Sequence, residues 1–489
     1  MLKLTTADWK RLKADTLFIP VCEKKDIHTD PTVKAVIKEA LKLPEFNGKK
    51  DEEVLLYAPA RLNAKRVMVR GIGKVEELDA ETFRTAAGNT VKTCIQKKLA
   101  GLWVAVPDAK GLPLDTEAIL RALMEGGCLA NHIFDKFRKE KKHKPLRQIT
   151  FALPKALVSR FRSISRQIET VCAGTVMARD WISTPANAKT PEQFAADIAA
   201  NARKAGLKTQ VIKEKQLERH GMGALLSVCR GSKSAPHLVV LDHNPAQSGK
   251  PIVLVGKGVT FDSGGLNLKP GASMTDMKAD MSGAAAVAAT LVTVARMQTK
   301  RRVIGVIPIV ENMVNGEATR PGDIIKSYTG KTVEIGNTDA EGRLILIDAM
   351  AYAVKRFKPQ IMVDLATLTG ACVVALGEKI AAVFSEDDDL AEAIVAAGKA
   401  TDEHSWRMPL FQDYKEMLKS EFADINNLPS ARWGGAITAA LFMSEFVENT
   451  RWAHIDIAGP AYSKKAGPYC PPGGTGFGVR LLMELLNRI

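Results

Sequence analysis

At 489 residues the chain is too long for one ordinary hydrophobic core, so two or more domains are expected. Its 46% hydrophobic and 25% charged residues exclude a disordered polyelectrolyte, and no window reaches the uninterrupted apolar length of a membrane span. The formal charge of +15 permits attraction to nucleic acid, but the basic run 136–144 has no aromatic platform and no zinc spacing, which favours a solvated face over DNA binding.

In chain order, apolar runs at 17–21, 54–57, 66–69 and 102–106 read as strands, and 32–43, 80–97 and 117–129 as helices. Such alternation predicts a small α/β domain. It holds no GxGxxG after a strand, so a dinucleotide fingerprint is absent, and no acid, base or nucleophile constellation stands out. Residues 135–148 are charged and expected at the surface. A strand at 149–153 precedes one long helix, or two joined ones, over 154–181. This segment is expected to lead from an N-terminal α/β domain, 1–160, into a C-terminal domain, 161–489.

Thr190-Pro191-Glu192 reads as a helix start, with a helix over 193–205. Strands follow at 209–212, 237–241 and 251–255. The last runs into the glycine-rich stretch Gly256 to Gly265, the usual geometry of a site at the carboxyl end of an α/β sheet. Lys269 lies just beyond. Asp280 stands before the alanine-rich stretch 281–297, expected to be a tightly packed helix with Asp280 at or near its cap. Strands are expected at 303–310, 331–335 and 361–365, the last followed by the small-residue loop Thr367-Leu368-Thr369-Gly370. Segments 381–384 and 405–409, a helix at 436–446, a strand at 452–457 and a final helix at 479–486 continue the pattern. The fold class is therefore α/β, with the larger domain built on a mostly parallel central sheet flanked by helices.

Seven cysteines, odd in number and widely spaced, fit reduced thiols in a cytoplasmic compartment better than a disulfide framework. The N-terminus lacks the apolar core of a signal peptide.

The stretch Asn337-Thr338-Asp339-Ala340-Glu341-Gly342-Arg343 places two carboxylates and a guanidinium on alternate positions, which share one side in extended backbone. Gly342 permits a bend or a close backbone approach. A buried helix is expected to follow over 344–354. By itself this stretch reads more readily as a strand end or N-terminal cap with a solvated Asp and Glu. Asp262, Asp280, Asp339 and Glu341 all fall at element ends of one domain, and four carboxylates in one pocket need cations to stay ionised. Divalent ions bridged by carboxylates meet that need, and oxygen ligands suit manganese, magnesium or zinc. The eight histidines include no HExxH pair. Lys257 and Lys269 flank Asp262; each is either a salt-bridge partner or a working group, Lys257 as a neutral ligand and Lys269 as a holder of a developing oxyanion. Gly256-Lys257-Gly258 lacks the Walker A arrangement.

Four blocks in register carry a resemblance: Asn337 to Leu344, Val255 to Gly265, Met277-Lys278-Ala279-Asp280-Met281-Ser282-Gly283, and Arg320-Pro321-Gly322-Asp323. The sequence resembles the leucyl aminopeptidases, cytosolic two-metal enzymes, strongly over 170–489 and weakly over 1–160. The resemblance implies that Asp262 and Glu341 touch both metals, that Lys257 and Asp280 complete the tighter site, and that Asp339 completes the looser one. Mn2+ or Zn2+ is implied, with Mg2+ or Co2+ possible in the looser site. Lys269 would bind the scissile carbonyl, and Arg343 would hold a bicarbonate that serves as general base. Met277 and the wall Thr367, Leu368, Thr369 and Gly370 would line the first-residue pocket, although Met277 serves equally well as helix packing. The implied activity is release of N-terminal residues, leucine and methionine foremost, from peptides with a free N-terminus by metal-activated hydroxide. A homohexamer of two trimers is implied as well. Two other readings stand beside it: a phosphoesterase using the same carboxylates, and a DNA-binding protein in which the hydrolase domain is a scaffold.

Overall fold

The computed structural model describes residues 1–9, 13–60 and 62–489. The chain divides into two compact units, one comprising Met1–Cys172 and Lys465–Pro472, the other Ala173–Lys464 and Gly473–Ile489. The first contains one six-stranded sheet in the order Leu2–Thr6, Gln148–Leu153, Gly101–Ala105, Ala14–Cys22, Ala64–Gly73, Glu53–Tyr57. All neighbours are parallel except the last pair. Period-two alternation explains why both faces are covered. Leu17, Ile19, Val67 and Val69 pack with Val33, Val36 and Ile37 of the helix Pro31–Ala40. Phe18 and Met68 point the other way, into a core with Phe83, Val91, Leu120 and Leu123 of the helices Ala80–Gln96 and Thr116–Ala130. The edge strand Leu2–Thr6 escapes the sequence reading because its burial is only partial and it alternates with threonine and lysine.

The second unit is organised on a larger sheet, ordered Ser405–Arg407, Ala381–Phe384, Arg451–Asp456, Ile361–Ala366, Ile252–Gly256, Val303–Asn312, His237–His243, Lys208–Lys213. The four middle strands run parallel, while pairs nearer the edges include antiparallel ones. The expected α/β architecture is thus present in both units. The buried central strand Ile252–Gly256 reads as a continuous apolar run, as parallel strands covered on both faces tend to, while Ile361–Ala366 is apolar except for the buried Asp364.

Two local expectations change, and a third is met. The glycine-rich stretch after residue 256 is not all loop, because Gly258–Asp262 is a further strand pairing parallel to Val303–Asn312. Asp280 falls next to the cap of the helix Ser282–Met297, as expected: Met281 is the cap residue, and Asp280 closes the short 3-10 turn Met277–Ala279 just before it. Asp339, Glu341 and Arg343 do not alternate along extended backbone, since the helix begins at Glu341 and runs to Phe357. The small residues around residue 283 have a packing cause. A Cβ on Gly283 would lie 2.0 Å from the Leu365 carbonyl oxygen, so the helix start presses directly on a strand end. No helix among the described residues is long and apolar enough to cross a membrane. All seven cysteines are free, and six are buried.

Candidate active site

Lys257 follows the strand Ile252–Gly256 and is locked by its own backbone: its N–H donates to Leu365 O at 3.0 Å and its carbonyl accepts from Ala284 N at 2.9 Å. That junction aims a fully buried ammonium between two carboxylates, 2.7 Å from Asp280 Oδ1 and 2.8 Å from Glu341 Oε1. Glu341 sits in the first helical turn, where the helix dipole favours negative charge. Gly342 leaves room for that side chain: a Cβ there would stand 2.6 Å from Lys257 Cε, so the lysine would have to shift.

Asp262 ends its strand and accepts from Gly264 N and from Asn312 Nδ2, each at 2.9 Å. Its second oxygen pairs with Lys269 Nζ at 2.8 Å, and the same ammonium reaches Asp339 Oδ1 at 2.6 Å. Oxygens of Asp262, Asp280 and Glu341 lie within 4.8 Å of one another, and all three residues are buried. Asp339 stands beside this triad, more open to solvent and joined to it through Lys269.

The electrostatics follow from burial and crowding. Burial, then the neighbouring Glu341, pushes the Asp262 carboxyl above the usual range. Burial does the same at Asp280, partly offset by Lys257. Asp339 is raised by burial and then by Asp262. Burial alone would depress Lys257, but Asp280, Glu341 and Asp262 together hold it above the usual lysine range. Lys269 is likewise held up against burial by Asp262 and Glu341. Four carboxylates against two ammonium groups leave an excess of negative charge in a buried space. Asp280 Oδ2 and Glu341 Oε2 are buried with no hydrogen-bond partner. Unpaired buried carboxylate oxygens converging with the rest of an acidic triad suit a hard divalent cation.

Arg343, in the first turn of the same helix, donates from Nη1 to Asn427 O at 2.8 Å and lies over the Phe442 ring. Its Nε is buried without a partner, and burial lowers the guanidinium pKa to about 10. A buried cation with a free donor can hold a small anion.

Thr367 reaches the centre itself: its hydroxyl donates to Asp280 Oδ1 at 2.7 Å and its carbonyl accepts from Lys257 at 2.8 Å. The next two residues are fixed from behind, because Asp456 accepts from Leu368 N at 3.1 Å and from Thr369 N at 3.0 Å. Gly370 is exposed at the start of the helix Gly370–Leu376, and Met277 is half-buried at the turn leading to Asp280.

Sequence reasoning passes over several residues that hold this arrangement. Asn267 and Thr338 exchange bonds, Thr338 N to Asn267 Oδ1 and Asn267 N to Thr338 Oγ1, each at 2.9 Å, lacing two loops together. Asn312 bridges Asp262 and the Thr338 carbonyl. A polar residue closing an apolar strand marks Asn312 in the sequence; Asn427, in an irregular stretch, carries no such mark.

With this geometry in view, comparison with known proteins is decisive. The catalytic-domain model of the cytosol aminopeptidase family matches residues 176–483, and the N-terminal-domain model of the same family matches 22–141. The chain belongs to the cytosol aminopeptidase family. A probable cytosol aminopeptidase of Geobacter sp. is 44% identical over 447 residues, covering 91% of this chain and 90% of the relative. One of Chlorobium limicola is 39% identical over 509 residues, covering 100% and 99%. Among solved structures, the bottromycin maturation enzyme BotP in complex with Mn is similar at TM-score 0.85 and 35% identity, covering 97% of this chain and 99% of that one. A tomato leucine aminopeptidase mutant reaches TM-score 0.87 at 30% identity, covering 100% and 96%. The resemblance carried by the four sequence blocks is therefore correct. This aminopeptidase is a metal-dependent exopeptidase acting at peptide N-termini, and the acidic triad marks its metal-dependent active site.

Proposed function

We propose that the aminopeptidase binds two divalent cations per chain. Asp262 and Glu341 would serve both, Lys257 and Asp280 the tighter site, and Asp339 the looser one; Mn2+ or Zn2+ fits, with Mg2+ or Co2+ possible in the looser position. The observation that carries this reading is the buried triad with its two unpartnered oxygens, Asp280 Oδ2 and Glu341 Oε2. Asp339 supports a second, more exchangeable position because it is the most exposed of the four carboxylates. When bound, the cations would polarise the scissile carbonyl and lower the pKa of a water, and a bicarbonate held by Arg343 would supply a proton acceptor.

The chain's own groups do the rest. Lys257 can serve as a ligand only as the neutral amine; its proton is held by carboxylates whose charge the cations would neutralise instead. Lys269 keeps its proton and would donate to the substrate carbonyl oxygen as negative charge builds there. Arg343 would hold its anion through the donor that lacks a protein partner. The Thr367–Gly370 loop, steadied by Asp456, and Met277 would form the first-residue pocket, favouring leucine and methionine. One methylene changes such discrimination by only about 1–3 kcal/mol, so specificity would be broad. On the family likeness we extend the reading to a cytoplasmic homohexamer of two trimers. DNA binding stays outside it, since the exposed basic segment 136–144 would attract any polyanion without selecting one.

The test is titration of metal-free protein with manganese, zinc, magnesium and cobalt, one at a time, with leucyl-peptide hydrolysis and ions bound per chain read together. Two ions per chain with activity rising at the second supports the proposal. Saturation at one ion with full activity refutes it.

A further inference from the structure

We propose that Asn427 is the positioning residue that sets the geometry of the Asn337–Arg343 segment for metal binding and turnover. The inference rests on the two-cation reading and goes beyond it, to a residue outside the ligand set. Asn427 is fully buried, and its side chain is spent on this one segment. Its Oδ1 accepts from Gly336 N at 2.8 Å and Asn337 N at 3.2 Å. Its Nδ2 donates to Asn337 O at 2.9 Å and faces Ala340 O at 3.5 Å. Its backbone carbonyl takes the Arg343 guanidinium at 2.8 Å. One residue thus touches the segment before Asp339, the residue between Asp339 and Glu341, and Arg343 beyond them.

The need for such a clamp follows from the local backbone. The strand Thr332–Glu334 ends before Gly336, and the helix starts only at Glu341. Ile335 is still held by backbone bonds with Gly322 and Asp323, but from Gly336 to Ala340 no strand pairing holds the chain, and buried peptide groups there must find side-chain partners. An asparagine supplies an acceptor with two lone pairs and two N–H donors, which matches two facing N–H groups and the nearby carbonyls. Its position is itself fixed: Asn427 N donates to Glu334 O at 3.0 Å, continuing the parallel pairing of Ile425–Asn426 with Val333–Glu334. The approach is close enough to demand a bare backbone opposite, since a Cβ on Gly336 would lie 2.6 Å from Asn426 Oδ1 and 2.7 Å from Leu428 Cβ.

The test compares Asn427→Ala, Asn427→Asp and Ile425→Ala with the parent, using Mn2+ alone as the metal probe. Ile425 lies on the short strand Ile425–Asn426 that leads into Asn427, and its apolar side chain is buried in the hydrophobic core. Removing partners that orient metal ligands typically costs about 10–100-fold in affinity or activity. Asn427→Ala should weaken the looser Mn2+ site and lower kcat by that factor, with KM for a leucyl anilide changed less than threefold. Asn427→Asp keeps both acceptor contacts and loses the donors, so it should fall between parent and alanine variant; it also carries the test if Asn427→Ala does not fold. Ile425→Ala should lower the melting temperature while keeping both Mn2+ sites and kcat. Parent-like Mn2+ binding and kcat in both Asn427 variants would overturn the inference, as would an equal loss in Ile425→Ala, which would make the effect one of strand integrity. A parent that binds a single Mn2+ with full activity refutes the two-cation reading instead, so the two failures are distinguishable.

Discussion

Lys269→Ala separates the ion pairing this ammonium makes from the catalytic job proposed for it. In the structure it neutralises Asp262 and Asp339, at 2.8 and 2.6 Å; in the reaction it would stabilise the oxyanion. Loss of one oxyanion donor costs about 10²–10³ in turnover, or roughly 2.7–4 kcal/mol. The ground-state carbonyl carries much less charge than the tetrahedral species, so KM should change far less than kcat. The metal arm has the opposite sign. Deleting a cation beside carboxylate ligands removes a repulsion toward bound ions, worth on the order of 4 kcal/mol for unit charges at 4 Å in a partly screened site. Metal content after dialysis should therefore hold or rise while kcat falls. The assay is leucyl p-nitroanilide hydrolysis at saturating Mn2+, paired with elemental analysis of the same samples. Turnover within threefold of the parent would remove Lys269 from the chemistry, and metal loss matching the activity loss would make it a structural counter-ion only.

Three further outcomes are expected. Asp339→Ala should lose one metal per chain before the other on mild dialysis, because Asp339 lies outside the close triad; retention of two ions would contradict the assignment. Gly342→Ala should displace Lys257, since the new methyl would meet its Cε at 2.6 Å; overpacking of this kind costs about 1–3 kcal/mol, visible as a lower melting temperature together with weaker Mn2+ binding. Asp348, fully buried, has its pKa raised to about 7 by burial despite bonds from Tyr328 N and Leu225 N. A raised carboxyl pKa adds stability below the unfolded value of ~4 that is lost as pH rises through about 7. The parent should lose stability relative to Asp348→Asn between those limits, by at most about 4 kcal/mol, and parallel stability curves would refute the shift.

The sequence reads well where one residue's environment is set by its neighbours in the chain. Apolar runs and caps locate the strand Ile252–Gly256 and the helices Ser282–Met297 and Glu341–Phe357 to within a few residues, because local periodicity and burial agree there. It reads less well where tertiary contact decides. Gly258–Asp262 becomes a strand only because Val303–Asn312 offers an edge to pair with. Spacing puts Asp280 beside the helix start, where it lies, but only tertiary contact shows that its side chain is engaged by Lys257 and Thr367 while Met281 takes the cap. Thr367, expected in the wall of the first-residue pocket, also hydrogen-bonds within the acidic centre, a contact that spacing alone does not reveal.

Distant blocks meet because of how the middle strands are laid. Val303–Asn312, Ile252–Gly256, Ile361–Ala366 and Arg451–Asp456 are parallel neighbours, so their carboxyl ends share one edge. That edge delivers Asn312, Lys257, Thr367 and Asp456 side by side, as open α/β sheets do with their ligand sites. Helices that start from the same edge bring their N-termini to it, and Glu341 gains from that position. The sheet alone cannot place Asp339, which hangs between a three-residue strand and the helix. There the fold depends on side chains, with Asn267 and Thr338 on one flank and Asn427 on the other. A carboxylate placed by asparagine clamps has more freedom than one at a strand end, which is the physical reason to expect one tight and one exchangeable metal position from the same four acids.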